Sequence, residues 1–487
     1  MTATENRTER SPIDAAFLTE LRRICGADAV LAGKDETLVY ECDAFTFQKR
    51  HPEVVVLPST TEQVSAVVRL CSKYGVPFIG RGAGTGLAGG TLAVEGGVII
   101  AVTKMKRIKE VDLRNRRMVV EAGAVNLNLS RAVGGEGYQY APDPSSQMAC
   151  TIGGNVANNS GGPHTLKYGV TVNHVLGLTV VLPDGEILHL GGKEEDHLGY
   201  DLVGILVGSE GTFGIVTEVV VRVVRLPQTV RTMLAVFESV EDATNTVSGI
   251  IAAGIVPAAL EMMDKLIIQA VEEAFKFGFP LDAGACLIIE LDGLEAGIDG
   301  LRERVLEVCR ANNAREIRTA ASGPERDALW KARKRAFGAA GRLAPSNMTQ
   351  DGVIPRTKLP VVLKEIDRIV AHHGLKVANV FHAGDGNLHP LLLFDERIPE
   401  QVKGVLAASE EILKMCVAYG GSITGEHGIG IEKSSYSSCQ FSEKDLELMF
   451  QLKAVFDPKG ICNPGKMFPS GHGCMEVIMK KRKSVAL

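Results

Sequence analysis

The sequence predicts an α+β fold in which a glycine-rich α/β unit is followed by a ferredoxin-like unit. Three observations favour this fold. Short apolar runs typical of strands alternate with amphipathic helical patterns over residues 51–228. Glycine, at 53 of 487 residues, is concentrated in loops at the ends of these runs. From Arg231 onwards two strand–helix–strand patterns follow one another, as in a ferredoxin-like unit.

Composition excludes several classes of protein. The chain has 487 residues, 45% of them hydrophobic, and is long enough for several domains with large cores. Its 53 basic and 58 acidic residues give a net charge of −5, which argues against nucleic acid as a partner. The apolar run 175–182 is much shorter than a membrane span, and the polar start MTATENRTERSPID contains no secretory signal.

Cysteine usage points to a reducing compartment. The 10 cysteines never form a CxxC pair, which excludes the common iron–sulfur ligation patterns and offers no disulfide framework. A cytoplasmic location is therefore expected. The basic run 480–483 is interpreted as a solvated terminus, and peripheral contact with the inner face of a membrane is the minority interpretation.

The first domain is predicted over residues 51–228, after an N-terminal segment 1–50. It opens with the strand EVVVLP, and a helix follows with Ser59 and Glu62 at capping-box spacing and Gly75 at its end. Further strands are predicted in VPFIG, GGVIIAVT and MVVEAGAV. The stretch VLGLTVVLPDGEIL predicts a hairpin with a Pro-Asp-Gly turn.

The second domain is predicted over residues 229–420 and combines two strand–helix–strand units with a further helical part. Residues 320–360 look irregular, and the strands KVANVFH and LHPLLLF come after them. A C-terminal segment 421–470 is expected to return to the first domain, and 471–487 is a basic tail. Helices are predicted over 239–253, 294–311, 360–373 and 402–419, and from Ser442 to just before Asp457.

Four loops rich in glycine and small polar residues lie within the first domain. GTGLAG, residues 84–89, matches GxGxxG, but strand-like sequence follows it where a dinucleotide fingerprint requires a helix. Consecutive glycines still allow backbone N–H groups to line a nest for a pyrophosphate, with Arg81 nearby to offset charge. One such loop alone is typical of a tight turn. Three more such loops, at 142–147, 151–162 and 208–218, indicate a shared ligand cavity.

Two histidines and a carboxylate form the candidate metal site. His382 and His389 flank AGDGNL, and its turn residues, Asp385 among them, fold one strand back on the next so that the two rings converge. Glu426 and His427 lie in the glycine-framed loop GGSITGEHGIG. Two His plus one carboxylate suit zinc, manganese or non-haem iron. The other histidines considered are predicted to be structural: His51, His164, His189, and at a helix end His372 and His373.

Six motifs together resemble the FAD-linked oxidases of the vanillyl-alcohol-oxidase type, in order and over roughly residues 35–470. They are RGAGTGLAGG, APDPSSQMACTIGGN, GSEGTFGIVTE, VANVFHAGDGNLHPLLLFD, GGSITGEHGIG and FDPKGICNPGK. The resemblance implies a vanillyl-alcohol-oxidase-type FAD-binding domain of two α/β subdomains, a ferredoxin-like substrate (cap) domain and a C-terminal helical segment.

The resemblance also implies roles for residues. FAD is expected to be non-covalent, because the loop 81–90 has no histidine. The divalent metal is expected on His382, His389 and Glu426, with His427 as the base. Arg333 is expected to hold the substrate carboxylate, and Arg356 is a second candidate; without the resemblance, a surface ion pair is favoured for each. The residues expected to bind FAD are Arg81, Gly82, Ala83, Gly84, Thr85, Gly86, Pro142, Asp143, Ser145, Ser146, Gly153, Gly154, Asn155, Asn158, Gly162, Gly211, Ile215 and Asn463.

Within the family, the sequence is similar to glycolate oxidases and D-lactate dehydrogenases. This implies a dehydrogenase that oxidises a short 2-hydroxy acid, by metal-assisted proton abstraction and hydride transfer to flavin N5. Electrons are then expected to pass to a partner iron–sulfur subunit, a quinone or a cytochrome, and partner flavin and iron–sulfur subunits of a glycolate oxidase complex are expected. The alternatives are D-2-hydroxyglutarate as substrate, which the bulk of Phe337 disfavours, a non-catalytic flavin subunit, and a non-haem iron oxygenase.

Overall fold

The computed structural model describes residues 13–193 and 199–469. The predicted start of the chain before Ile13 and the basic tail after 469 lie outside the described residues. The first domain contains two subdomains, each built on its own sheet. The elements of the first subdomain are α1 (Ala15–Cys25), β1 (Val30–Leu31), α2 (Lys34–Thr37), β2 (Val54–Val56), α3 (Thr61–Tyr74), β3 (Phe78–Arg81) and β4 (Val98–Ala101).

The first subdomain has the strand order β1-β2-β4-β3, with β2, β4 and β3 parallel. Helix α3 buries its apolar face against this sheet. Its N-cap is Thr60, whose side chain accepts from the Gln63 N–H, so the expected cap at Ser59 is wrong by one residue. The Ser59 N–H instead donates to the Gln63 side chain. Gly75 ends the helix with φ +65°, as expected.

The second subdomain is built on a sheet of order β5-β6-β10-β8-β9, and all its strand pairs are antiparallel. Strands β8 and β9 form the predicted Pro-Asp-Gly hairpin. The elements are β5 (Ile108–Asp112), β6 (Arg117–Glu121), α4 (Asn126–Val133), β7 (Tyr138–Gln139), α5 (Ile152–Asn158), α6 (Thr165–Tyr168), β8 (Val175–Val181), β9 (Ile187–Gly191), α7 (Leu202–Leu206), β10 (Ile215–Arg222) and β11 (Val224–Arg225).

The cap domain is a seven-stranded antiparallel sheet with helices on both faces. Its elements are β12 (Thr229–Phe237), α8 (Val240–Ala252), β13 (Ala259–Asp264), α9 (Lys265–Phe275), β14 (Ala285–Gly293), α10 (Glu295–Ala311), β15 (Glu316–Thr319), α11 (Gly323–Ala340), β16 (Ser346–Thr349), α12 (Leu359–His372), β17 (Lys376–His382), β18 (Pro390–Phe394) and α13 (Pro399–Ala418).

The strand order in the cap is β15-β12-β14-β13-β17-β18-β16. The first four strands have the ferredoxin-like arrangement that the sequence predicts, and the other three extend the sheet. Alternate residues of β12 belong to two cores: Met233 and Phe237 pack with α8, α10, α12 and α13, whereas Leu234 and Val236 pack with α9 and α11. The sheet is therefore buried on both faces, which fixes its register.

One stretch of the cap differs from the prediction. Residues 320–360 look irregular in sequence, but α11 is an 18-residue helix that begins after the N-cap Ser322. The buried face of α11 consists mainly of alanines, such as Ala332 and Ala336. Alanine differs little in hydrophobicity from the residues of the polar face, so the helical periodicity of apolar residues is weak in this part of the sequence. Helix α9 is likewise absent from the predicted elements.

The C-terminal segment lies against the first domain. After the cap come α14 (Ser437–Gln440) and α15 (Glu443–Phe456), and α15 begins with the predicted capping box of Ser442 and Asp445. Beyond α15, the chain extends the edge of β3, because the Phe78 N–H donates to the Ile461 carbonyl and the Asn463 N–H donates to the Phe78 carbonyl. In the described part of the chain, no helix is long and apolar enough to cross a membrane.

Candidate active site

A large cavity lies between the glycine-rich loops of the first domain and the cap. Its volume is about 590 Å³, within the usual range for cofactor and ligand pockets. The wall on the first-domain side comes from the loops around 80–91, 144–160 and 209–216. On the other side the wall is formed by Lys334, Phe337, Asn347, Thr349, His389, Glu426 and His427.

The structure brings most of the predicted flavin-binding residues to this cavity. Those that line it are Arg81, Gly82, Ala83, Gly84, Thr85, Gly86, Ser145, Ser146, Gly153, Gly154, Asn155, Asn158, Gly211 and Ile215. Four predicted residues are not in its wall. The Pro142 carbonyl accepts from Asn126, Asp143 pairs with His164, Gly162 packs on the backbone of Asp143, and Asn463 donates to the Gly90 and Glu210 carbonyls.

Two glycines show why this loop needs small residues. A Cβ on Gly82 would lie 2.2 Å from Thr151 Oγ1, and a Cβ on Gly84, where φ is +71°, would lie 2.3 Å from Arg81 Nη2. The Arg81 guanidinium donates to Thr91 and to the Cys42 carbonyl. Arg81 therefore packs against loop 82–86 at Gly84 and fixes its position, and it also brings positive charge to the cavity. No helix follows the loop, in agreement with the sequence interpretation.

His382, His389 and Glu426 converge as the sequence predicts. The turn at 383–389 folds β17 back towards β18, and Asp385 accepts from the Asn387 N–H within it. His382 Nε2 and His389 Nε2 lie 3.3 and 3.2 Å from the same oxygen, Glu426 Oε1. Ligand atoms about 2.1 Å from a tetrahedral ion lie about 3.4 Å from one another, so this spacing fits a divalent metal.

The hydrogen bonds at Nδ1 of His382 and His389 determine the protonation of their Nε2 atoms, which face Glu426. His382 Nδ1 lies 2.9 Å from both oxygens of Glu261, and His389 Nδ1 lies 3.2 Å from the Gln350 carbonyl. Both partners are acceptors, so each Nδ1 carries the hydrogen and, in a neutral ring, each Nε2 presents a lone pair. Two lone pairs then face a carboxylate oxygen, which is unfavourable unless a metal ion lies between them or a ring is protonated. Burial lowers the pKa of His382, but Glu261 and Glu426 outweigh burial and raise it well above its ordinary value, so without a metal this ring carries a proton. These three residues could hold a metal.

His427 lies beside this group. Its ring stacks on that of His389, with centroids 5.0 Å apart and an interplanar angle of 6°. Burial lowers the pKa of His427 to about 4, and its Nδ1 has no hydrogen-bond partner among the described residues. The ring is therefore neutral at physiological pH and can accept a proton.

A buried carboxylate that the sequence analysis missed holds the loop of Glu426 and His427. Asp351 accepts from Thr424 Oγ1 at 2.6 Å, from the backbone N–H groups of residues 425–427, and from Lys433 Nζ at 3.0 Å. Asp351, His389 and His427 could also surround a metal. However, Asp351 is already saturated by donors, so we interpret it as the anchor of the loop and not as a ligand.

Arg333 is fully buried behind the metal group. Its Nη2 lies 2.7 Å from Glu261 Oε2, yet none of its three guanidinium nitrogens makes a hydrogen bond of good geometry. Arg333 is not in the cavity wall; the next residue, Lys334, and Phe337 are. The Phe337 ring lies 5.9 Å from that of His389, edge to face, and 5.9 Å from the guanidinium of Arg333.

The structure does not bring Arg356 into the main cavity. Its guanidinium donates to the Gly384 carbonyl, and the residue lines a second cavity with Thr165 and Asp385. Arg356 is therefore unsuited to the role in substrate binding that the sequence suggested. His164, predicted to be structural, lies 2.9 Å from Asp143 of the first domain and 3.3 Å from Glu290 of the cap. It joins the two domains.

Comparisons with known proteins agree with this architecture. Residues 52–191 match the family described as FAD binding domain, and residues 226–467 match FAD linked oxidases, C-terminal domain. The chain is 46% identical over 461 residues to glycolate oxidase subunit GlcD of Escherichia coli, covering 95% of this chain and 92% of that protein. It is 34% identical to the D-lactate dehydrogenase of Anaerostipes hadrus, covering 86% and 90% of the two chains.

A solved structure shows the same fold. p-Cresol methylhydroxylase with substrate bound superimposes with a TM-score of 0.79, covering 94% of this chain and 97% of that one, at 18% identity. At that identity the likeness is evidence for the fold alone. It confirms the predicted fold class.

Proposed function

The chain belongs to the family of FAD-linked oxidases, and on that premise we propose that it oxidises a short 2-hydroxy acid, glycolate or D-lactate, to the 2-oxo acid. The observation that carries the proposal is the convergence of His382, His389 and Glu426 beside the flavin cavity, whose wall includes His389, Glu426 and the neighbouring His427. The relatives whose names mention glycolate and D-lactate support the same class of substrate.

The residues of the first domain fit FAD. Loop 82–86 is closely packed on Thr151 and Arg81, so only residues without a Cβ fit at Gly82 and Gly84, and the backbone is left free to approach a pyrophosphate. When bound, FAD supplies a two-electron acceptor for the substrate hydride. In our proposal it is held without a covalent bond, because loop 81–90 contains no histidine.

The residues of the cap fit a divalent metal, which we propose to be zinc or manganese. Two fixed Nε2 lone pairs and one carboxylate oxygen leave coordination positions for a substrate. The Glu261 carboxylate on His382 Nδ1 resembles the carboxylate–histidine pairs that orient metal ligands elsewhere. When bound, the ion supplies a Lewis acid that makes a nearby hydroxyl more acidic.

In this proposal His427 takes the proton of the substrate hydroxyl. The neutral ring can accept it, and the stack on His389 places the ring beside the metal ligands. Asp351 keeps His427 in place by accepting its backbone N–H. A fixed base is required because proton transfer needs hydrogen-bond reach to the reacting oxygen.

Positive charge on α11 recognises the substrate carboxylate. Lys334 is the cation of α11 that lines the cavity and can meet the carboxylate directly. Arg333 is fully buried outside the cavity wall, with Nη2 2.7 Å from Glu261 Oε2, so in our proposal it adds positive charge behind the site without contacting the carboxylate. A carboxylate held on α11 and a hydroxyl held at the metal together fix which hydrogen of Cα faces the flavin, which gives selectivity between D and L acids.

The electrons must leave the protein through an acceptor outside this chain. The sequence has no CxxC pair that would suggest an iron–sulfur cluster of its own. We propose a partner iron–sulfur subunit, a quinone or a cytochrome as that acceptor. The name of the Escherichia coli relative, glycolate oxidase subunit GlcD, supports a complex of several subunits. We propose that this complex also contains a second flavin subunit.

The proposal is tested by following the loss of flavin absorbance at about 450 nm in the absence of oxygen. The purified flavin-loaded chain is mixed with glycolate, D-lactate, L-lactate or D-2-hydroxyglutarate. We expect bleaching by glycolate or D-lactate and not by L-lactate. Faster bleaching by D-2-hydroxyglutarate would show that the substrate is this longer acid and not glycolate or D-lactate. A bound flavin that none of these acids bleaches would indicate a non-catalytic subunit.

A further inference from the structure

Glu210 is a buried carboxylate in the wall of the flavin cavity. It has a backbone conformation unusual for a residue other than glycine, with φ at +51°. Its N–H donates to the Ala157 carbonyl at 2.8 Å, and its own carbonyl accepts from Asn463 Nδ2 at 2.8 Å. These contacts hold Glu210 rigidly within the first domain, against the end of helix α5.

The Glu210 side chain reaches the loop that carries the candidate base. One oxygen accepts from the Ile429 N–H at 2.6 Å, and the other accepts from the Gly430 N–H at 2.7 Å. Asn158, the last residue of α5, adds a third contact, since its Nδ2 donates to the His427 carbonyl at 2.7 Å. The sequence analysis places Glu210 in the loop 208–218 but gives no sign of its role, because the partners of its carboxylate are far along the chain, 219 residues away for Ile429.

The loop 424–430 is thus held by two carboxylates from two different domains. Asp351 of the cap accepts N–H groups from residues 425–427, and Glu210 of the first domain accepts those of residues 429 and 430. Glu426 and His427 are bonded to Asp351 through their own N–H groups, and the Glu210 contacts begin two residues after His427. The position of the metal ligand and of the base therefore depends on both domains at once.

We propose that Glu210 is a positioning residue that links occupancy of the flavin cavity to the order of loop 424–430, and through this loop to the affinity of the metal group. A ligand that fills the cavity contacts α5 and the segment 209–211, which carry Asn158 and Glu210. Restraining these elements restrains the donors they hold. By linkage, the metal must then strengthen flavin binding by the same factor. The metal part of this inference rests on the proposed function; the link between flavin and loop order does not.

Amide hydrogen exchange of the full chain tests the inference without metal or activity. In the parent protein, flavin should slow exchange in peptides covering 424–431 by about tenfold. In Glu210→Gln, an amide nitrogen faces a backbone N–H, so one hydrogen bond is lost. Exchange at 429–430 should be faster, and flavin should slow it by less than about twofold. Glu210→Asp, which is one methylene too short, should behave similarly.

Two controls separate positioning from general damage. Glu218 is on strand β10 and forms an exposed ion pair with Lys109 of β5. Glu218→Gln removes this pair and should exchange like the parent protein. Exchange in helix α13 should be equal in all variants. The inference is overturned if Glu210→Gln retains the full effect of flavin on 424–431, if flavin has no effect in the parent protein, or if exchange rises equally throughout the variant.

Zinc binding gives the second readout. The affinity for Zn²⁺ alone is measured by competition with a coloured chelator, for flavin-free and flavin-loaded protein. The parent protein should bind zinc about tenfold more tightly with flavin, and Glu210→Gln should show no such difference. An equal flavin effect in the variant contradicts the coupling. If the parent protein binds no zinc in either state, the proposed metal fails, whereas the exchange experiment still decides the role of Glu210.

Discussion

The flavin cavity and the metal group use opposite kinds of residue. The cavity wall on the first-domain side consists largely of glycine, alanine, serine and backbone from several loops. The metal group consists of buried ionisable side chains, each with a dedicated partner: Glu261 for His382, Gln350 for His389 and Asp351 for the loop of His427. Many weak contacts tolerate the loss of one, whereas few strong contacts do not.

The largest expected effect is on the candidate base. His427→Ala should keep its bound flavin, because the flavin contacts come from many other residues, yet flavin reduction should slow by about 10²–10⁴-fold. Stopped-flow bleaching under anaerobic conditions measures this. His189→Ala, at an exposed histidine on β9, serves as the control. Reduction at the parent rate in His427→Ala would remove this residue as the base.

Loss of the loop anchor should affect stability most. Asp351→Asn removes the nearer carboxylate partner of the fully buried Lys433, at 3.0 Å, and leaves only Glu432 at 3.9 Å, which should lower the free energy of unfolding by about 3–5 kcal/mol. Urea unfolding followed by fluorescence measures this. Asp395→Asn removes the exposed pair with Arg397 and should leave the free energy of unfolding almost unchanged. Equal losses in the two variants would contradict the role of Asp351.

The effect of Asp351→Asn on the free energy of unfolding should depend on pH. Burial raises the pKa of Asp351, but Lys433 and the Thr424 hydroxyl are among the groups that outweigh burial and hold it below its usual value of about 3.9. A depressed folded pKa stabilises the protein above about pH 4 and ceases to do so as the pH falls towards that pKa. The stability difference between the parent and Asp351→Asn should therefore be constant near neutrality and shrink below about pH 4. A difference that grows on acidification would contradict this.

A moderate effect on metal affinity is expected at Glu261, the carboxylate that contacts the candidate metal ligand His382. Glu261→Gln weakens the acceptor on His382 Nδ1 and should lower metal affinity by about 10–100-fold, with the flavin affinity of the metal-free protein unchanged. Chelator competition measures the metal and flavin fluorescence measures the cofactor. Glu218→Gln is the matched control. An unchanged metal affinity would mean that His382 needs no carboxylate behind it.

A smaller effect is expected in the flavin cavity. In Gly84→Ala, the new methyl group would meet the Arg81 guanidinium at a positive φ, so flavin affinity should fall by about tenfold while metal affinity is kept. Gly338→Ala, in helix α11 with open space around it, should bind flavin normally. A complete loss of flavin in Gly84→Ala would contradict the comparison, because a single contact would then dominate the cavity.

The smallest effect is expected at Phe337. Phe337→Thr widens the cavity beside His389 and should shift the ratio of kcat/KM towards longer 2-hydroxy acids by about 10-fold, with little change for glycolate. Steady-state rates with glycolate and D-2-hydroxyglutarate measure the ratio. Phe275→Thr, at a partly exposed phenylalanine of α9, should leave it unchanged. An unchanged ratio in Phe337→Thr would show that Phe337 does not limit substrate length.

The contrast between the two regions also explains what could be read from the sequence. Glycine-rich loops and the turn between His382 and His389 are local signals, so the cavity and the convergence of these two histidines were predictable. Glu210, Glu261 and Asp351 were not, because each is a single carboxylate whose partners are 219, 121 and 74 residues away. Only the folded chain shows that these three carboxylates support the site.

Packing explains the other differences. Arg356 lies in a stretch that looks irregular in sequence, and nothing in it shows that the guanidinium contacts the Gly384 carbonyl in a separate cavity. Arg333 and Lys334 are neighbours on α11, and only the position of the helix decides which is buried and which lines the cavity. The helix itself was missed because its buried face is mostly alanine.

The dependence of flavin reduction on a bound metal tests the central claim most directly. The flavin-loaded chain is treated with a chelator, its metal content is measured, and anaerobic bleaching by glycolate and D-lactate is followed before and after adding back zinc or manganese. We predict that the chelated protein keeps its flavin, loses bleaching, and recovers it as about one ion per chain is restored. Bleaching at the same rate in metal-free protein would contradict the account.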